Sequence, residues 1–400
     1  MKKILIVIHD LQIGGAQKGL VNFLNCLDRS GRAAEYEIRL LALTASGPLL
    51  AEVPTWVKQI KPSRCLRWFS SHLSLALFRD YFCWRGLFGE AYWIIRKCMK
   101  ISHKRMSKSQ KMWECWKHFI PDDSEEYDVA VSYLDGGTNY YVMDRVNAKK
   151  KILWVHSEYQ KQGYVPEYDR HYYEACDGVI TISEQCRQCI LRAFPQLHEK
   201  VHVLENITSY DFVLKQSRED FQTEFPDTDV LKLLSVGRLH EQKGFDLAVE
   251  AAALLKKKGV PFIWLVVGEG SERSKLQKMI DEYELHEQFL LIGARDNPYV
   301  YMKECTILVQ PSRVEGKSIV LDEAKMLCKP IIATNYATVK DAIEHGETGW
   351  ITDIHSQGIM EAIIRLWKDN GLCEYISSNL QKQEKGNETE LYKYLETMFS

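Results

Sequence analysis

The runs KILIVI at residues 3–8 and LKLLSV at 231–236 each end near a glycine-bearing turn and give way to a helical pattern, GLVNFLNCL in the first case and FDLAVEAAALLKK in the second. A continuous β-rich apolar run has no polar face, so it belongs inside a parallel sheet, and parallel strands need a covering crossover helix between them. The same signature recurs at 38–43, 127–134, 151–155 and 178–182. After the polar stretch SREDFQTEFPDTD the pattern restarts with LKLLSVGRL, a helix over 245–257, the strand PFIWLVVGEG and a helix over 273–284. It continues through QFLLIG, CTILVQPS, a helix near 320–327 and KPIIAT. The expected fold class is therefore α/β, with two doubly wound Rossmann-like domains, residues 1–205 and 206–375, facing a cleft. A ligand is expected between them, because such sheets bind at the carboxyl ends of their strands.

Composition narrows the function. The 400 residues carry a formal net charge of -2, with 46% apolar and 26% charged side chains, an ordinary soluble balance that argues against a general nucleic-acid binder. The start MKKILIVIHD is too short in its apolar part for a signal peptide, and no uncharged run reaches membrane-spanning length, so a cytoplasmic chain is expected. Eleven scattered cysteines fit reduced thiols better than a disulfide framework.

Residues 61–120 break the pattern. Thirteen Lys or Arg face only Asp80, Glu90 and Glu114, and five of the ten tryptophans fall here: Trp68, Trp84, Trp93, Trp113 and Trp116. Leu77, Tyr81, Trp84, Phe88, Tyr92, Ile95 and Met99 share one helical face. Two readings fit this basic-aromatic insertion. Rings at headgroup level with cations on anionic lipid would make it a membrane-surface element, and an aromatic stripe packed on its own sheet would make it plain core. RNA binding lacks any accompanying signature.

The loop HDLQIGGAQKG has glycines at 14, 15 and 19, which fit neither the dinucleotide fingerprint nor a phosphate-binding P-loop. The strand at 38–43 also ends without the acid that holds a ribose, so NAD is not expected. Two readings remain for this loop, a plain turn or a turn whose Gly15 lets a substrate approach helix N-terminal amides. In SVGRLHEQKG, Arg238 and Lys243 follow Gly237 beyond a strand end, a natural receptor for a diphosphate. VVGEGSE places Gly268 in a further strand-to-helix turn that could border the same nucleotide. In PSRVEGKSIVLDEAK, Glu315 and Gly316 lie in a loop, Ser318 is a candidate helix cap, and Glu323 sits about one turn inside the helix. Two acids up to about 12 Å apart suit opposite ends of an extended ligand, not one shared proton.

Two other motifs point to metals only weakly. Asp227-Thr-Asp229 matches a D-x-D but precedes a strand instead of following one, and Cys186 and Cys189 lack a second C-x-x-C pair. No metal is expected, and no cofactor other than a nucleotide-sugar donor acting as substrate.

The stretch PSRVEGKSIVLDEAK resembles the E-x7-E signature of retaining GT-B-fold glycosyltransferases, in particular family 4. GGAQK, WVHSEY at 154–159, the VGRL...KG element and VVGEG match in the expected order over most of the chain. The resemblance implies Glu323 on the nucleotide ribose and Glu315 on donor-sugar hydroxyls. It puts Arg238 and Lys243 on the departing diphosphate, His156 near the reacting carbon, and Gly15 beside the donor phosphate. Gly237, Gly268, Gly316, Lys317 and Ser318 would line the donor. Lys317 and Ser318 depart from the aromatic-then-Gly/Pro pattern of many relatives, which leaves the donor sugar open. A helix at about 376–400, carrying ETELYKYLETMF, is expected to return to the first domain.

The function implied is a retaining, metal-independent hexosyl- or N-acetylhexosaminyltransferase. It would move a sugar from a UDP-sugar to a saccharide acceptor, with a lipid-linked glycan at the inner membrane face preferred, in capsule, exopolysaccharide or lipopolysaccharide synthesis. Two rivals differ in what they require. A nucleotide-sugar epimerase on the same fold needs no insertion, and a non-catalytic membrane-binding subunit need not keep Glu315, Arg238 and Lys243.

Overall fold

A computed structural model describes every residue except 13, 71–105, 229, 316 and 400. The chain divides into two compact units, one of residues 1–207 with 388–400, the other of residues 208–387. The expected aromatic face from Leu77 to Met99 lies outside the described residues, as do Asp229 and Gly316.

The first unit is built on seven parallel strands: β1 (Lys2–Ile8), β2 (Tyr36–Ala42), β3 (Lys58–Ile60), β4 (Glu126–Ser132), β5 (Asn147–Val155), β6 (Gly178–Thr181) and β7 (Val201–Val203). Their order is β3-β2-β1-β4-β5-β6-β7, so strand succession reverses between β1 and β4. Alternation along β1 feeds two cores. Ile4, Ile6 and Ile8 join Leu20, Phe23 and Leu24 of helix Gly15–Arg29, while Leu5 and Val7 meet Trp113, Trp116 and Tyr140.

The second unit repeats the plan with β8 (Leu231–Val236), β9 (Phe262–Val267), β10 (Phe289–Gly293), β11 (Ile307–Gln310), β12 (Ile331–Thr334) and β13 (Trp350–Thr352). The order β10-β9-β8-β11-β12-β13, again parallel, reverses between β8 and β11. Helices Phe245–Lys257 and Ser356–Lys368 bury their apolar stripes on one face with Leu231, Leu233 and Trp264.

The segment expected as one helix over 376–400 is two helices. Asn370–Lys382 packs with the second unit, and Glu390–Phe399 belongs to the first. Gly386, with φ of +84°, and the Asn387 side chain, which accepts the Thr208 N–H at 2.7 Å, sit in the break between them. The unit boundaries accordingly fall after Ile207 and after Asn387 instead of at 205 and 375.

At the described ends of the basic-aromatic insertion, two of the tryptophans are core. Trp113 and Trp116, on helix Lys108–Trp116, are fully buried, and the Trp113 indole N–H donates to Asp144 Oδ2 at 2.8 Å. These two rings therefore take no part in a lipid-facing stripe. Among the described residues no helix is long and apolar enough to cross a membrane. Cys186 and Cys189 are both buried on helix Glu184–Ala193, three apart on its inner face.

Candidate functional site

In a doubly wound sheet the loops leaving the two strands at the reversal point diverge and leave a crevice. In the second unit those are the loops after β8 and β11, and they carry Lys243 and Glu315. Lys243 Nζ donates to Glu315 Oε1 at 2.6 Å. The Gln310 amide, at 2.7 Å, and the Ser312 hydroxyl, at 2.6 Å, donate to the same oxygen. Gln310 is oriented in turn by the Ser318 hydroxyl, which donates to its Oε1 at 2.7 Å, and Thr338 Oγ1 donates to the Glu315 carbonyl at 3.0 Å. A carboxylate so loaded is fixed in place.

Two glycines let the loops after β8, β9 and β11 approach one another closely. Gly244 has φ of +64°, and a Cβ there would stand 2.0 Å from the Pro311 carbonyl oxygen. A Cβ on Gly268, whose φ is +157°, would stand 1.8 Å from the Gly237 carbonyl oxygen. Side chains at either position would separate the backbones. Gly237 lies against the Lys243 stem, and a Cβ there would stand 3.6 Å from Lys243 Cδ, an ordinary packing distance.

Ser318 occupies the N-cap position of helix Ile319–Met326, but it makes no side-chain cap bond, and its hydroxyl is directed to Gln310 instead. Glu323, inside that helix, is buried, and its Oε1 accepts from the Tyr299 hydroxyl at 2.7 Å. Burial, with the Glu323 charge beside it, drives the Tyr299 phenol well above its ordinary pKa, so it stays a donor. Lys317 Nζ lies 3.8 Å from Asp322 Oδ2, and Arg238 is exposed on its loop. The second unit thus gathers Lys243, Gln310 and Ser312 around the Glu315 carboxylate, with Ser318 behind Gln310 and Gly237 against the Lys243 stem. Glu323 is held separately by Tyr299.

Gly15 and His156 belong to the first unit. Gly15 is the exposed first residue of helix Gly15–Arg29. Asp10 stands in the loop ahead of it and accepts from the Gln12 N–H at 3.0 Å and from Gln17 Nε2 at 3.2 Å. That carboxylate opposes an anion at the same turn. His156 follows β5, its ring stacked on Trp154 with centroids 5.6 Å apart and 5.0 Å from that of Tyr133. Both ring nitrogens are buried. Burial pushes the imidazole down to about 3, against a weaker opposing pull from the Tyr133 backbone, so His156 is neutral near pH 7.

Sequence reading did not single out Gln310, Ser312 or Tyr299. A glutamine closing the buried run ILVQ is the one local signal for this cradle, since a polar side chain ending a core strand requires a partner.

Residues 216–383 match the family model of glycosyl transferases group 1. The amylovoran biosynthesis glycosyltransferase AmsK of Erwinia amylovora is 29% identical over 145 residues, 34% of this chain and 36% of its own length. The N-acetylgalactosamine-N,N'-diacetylbacillosaminyl-diphospho-undecaprenol 4-alpha-N-acetylgalactosaminyltransferase of Campylobacter jejuni is 26% identical over 189 residues, 47% of this chain and 50% of that protein. The matches therefore span half or less of these curated relatives. The crystal structure of Anabaena HepE in complex with UDP and glucose superposes on the whole of both chains with a TM-score of 0.69 at 16% identity. The paired parallel sheets are the GT-B fold. The similarity to glycosyl transferases group 1 lies in the second unit.

Proposed function

We propose that this protein is a retaining, metal-independent glycosyltransferase that moves a sugar from a UDP-sugar to a saccharide acceptor in cell-surface polysaccharide synthesis. The observation that carries the reading is the Lys243–Glu315 pair at the strand-reversal point, held by Gln310 and Ser312. Cleaving the sugar C1–O bond sends its electron pair to the diphosphate. Lys243 supplies positive charge there in a fixed position, and exposed Arg238 adds a forked donor. Glu315 accepts hydrogen bonds from sugar hydroxyls, and Glu323 takes the ribose end. Neutral His156 contributes a hydrogen bond without a competing charge.

For retention, the acceptor oxygen bonds to C1 on the face the diphosphate leaves, and the acceptor proton passes to the departing phosphate oxygen. No protein nucleophile is then needed.

The UDP donor is favoured by the fold shared with HepE, crystallised with UDP and glucose. A hexose or N-acetylhexosamine as the transferred sugar, and a lipid-linked glycan as acceptor at the inner membrane face, are favoured by the relative that acts on a diphospho-undecaprenol glycan and by the basic-aromatic residues near 77–100. Purified protein offered a panel of nucleotide sugars with a membrane-lipid extract, read by released nucleoside diphosphate, tests the activity. Transfer by wild type with loss in Glu315→Ala supports it. Isomerised nucleotide sugar formed from donor alone would instead indicate an epimerase. Charge reversal at Arg96, Lys97 and Lys100 should abolish flotation with anionic liposomes, and unchanged flotation would remove the membrane part alone.

A further inference from the structure

We propose that Arg313 and Asp246 are positioning residues that hold Lys243 and Glu315 together as one anion-receiving unit. The proposal rests on the donor reading above. The Arg313 guanidinium forms a fork with Asp246, Nη1 to Oδ1 at 2.7 Å and Nη2 to Oδ2 at 2.9 Å. Nη1 also donates to the Glu241 carbonyl at 3.0 Å, and the Arg313 backbone N–H donates to the Gln242 carbonyl at 2.7 Å. One residue of the β11 loop therefore grips the β8 loop before and after Lys243. Glu315 sits two residues further along, so the grip fixes both members of the ion pair at once.

A longer-range contact steadies the grip. Lys275, on helix Arg273–Glu282, lies 3.8 Å from Asp246 Oδ2 and donates to Glu272 at 3.1 Å. Burial by itself pushes the Asp246 carboxyl up, but the Arg313 hydrogen bonds and the surrounding cations outweigh it and hold the group below the usual carboxylate range. The Arg313 and Asp246 side chains remain 32% and 20% exposed, so the fork adds little to global stability and its variants should fold. Its effect lies in geometry. A lysine is a flexible point charge, and an error near 1 Å in a charged group at a reacting centre costs on the order of a hundredfold.

The test is UDP affinity by calorimetry in wild type, Arg313→Lys, Lys243→Ala and the double variant. Lysine keeps the charge at 313 and loses the fork. Arg313→Lys should weaken UDP binding about 5- to 10-fold, and less than about 2-fold in the Lys243→Ala background, because the strut acts through Lys243. Asp246→Asn should behave like Arg313→Lys, and Asp246→Glu should restore part of the affinity. Equal losses in both backgrounds, or no loss in either, would overturn the proposal. If Asp246→Asn unfolds, Arg313→Lys decides. Unchanged UDP affinity in Lys243→Ala alone would remove the donor reading itself, and the strut's purpose with it.

Discussion

The Lys243 ammonium and the Glu315 carboxylate, 72 residues apart in sequence, meet at 2.6 Å where the strand order of the second sheet reverses. Glu315 is 10% exposed and Lys243 23%, so each is largely withdrawn from water and each is the other's main counter-charge. A diphosphate brought to Lys243 would take over part of that bond, while Gln310 and Ser312 keep Glu315 Oε1 in place.

Lys243→Ala and Glu315→Ala should each lower turnover with a nucleotide-sugar donor by about 100-fold or more, the scale of losing one preorganised charge at a reacting centre. Glu315→Gln keeps the shape and should still lose most of the rate, because its amide cannot accept on both sides. Steady-state rates with circular dichroism on the same samples check this, and a Glu315→Gln enzyme with wild-type turnover would contradict it.

His156 makes stability depend on pH. Its folded pKa of about 3 lies below the unfolded value near 6.5, so the unfolded chain binds more protons between these limits. Stability is therefore complete above about pH 6.5 and falls as pH drops toward 3. His156→Phe keeps a ring on Trp154 and should flatten this slope, with a gain relative to wild type on the order of 3 kcal/mol between pH 6.5 and 4. Denaturant unfolding across that range measures it, and an imidazole NMR signal titrating near 6.5 would refute the assignment.

Gly244→Ala should disable the site through its backbone. A left-handed φ and a Cβ 2.0 Å from the Pro311 oxygen together cost roughly 3 kcal/mol or more and force the two loops apart. Gly259→Ala is the control, since Gly259 also has positive φ, +68°, but no atom within 4 Å of its added Cβ. Thermal unfolding and UDP binding of the pair should separate lost contact from ordinary backbone strain.

Tyr394→Ala should destabilise the first unit by about 3–5 kcal/mol. The ring stacks on Phe23 at 5.2 Å and approaches Trp154 at 4.9 Å, and its hydroxyl donates to the Glu205 carbonyl at 2.8 Å. Unfolding curves read from the tryptophans report it.

The central strands were legible because a strand buried on both faces has to be written as an unbroken apolar run. The short strands β3, β7 and β13 were not. Lys58–Ile60 is largely exposed, Val201–Val203 has one buried residue and Trp350–Thr352 none, so none carries that run. Lys243 and Glu315 were legible as charged residues just beyond strand ends in an ordered set of motifs. The fork between Asp246 and Arg313 joins ordinary charges 67 residues apart, and only the strand order brings them together. Ser318 shows the limit of local rules. Its position predicted a cap, but the side chain is turned to Gln310 and makes no cap bond.

The return of Glu390–Phe399 to the first unit has a consequence for synthesis. When the ribosome has made residues 1–207, the groove beside Phe23 and Trp154 still lacks Tyr394, so this unit leaves the exit tunnel with an apolar gap in its wall. The second unit has no such debt to later residues and is free to complete itself first, although its sequence comes second. Maturation of the earlier half thus waits on a segment made only after the whole second unit, a built-in delay during which chaperones have an opening to bind.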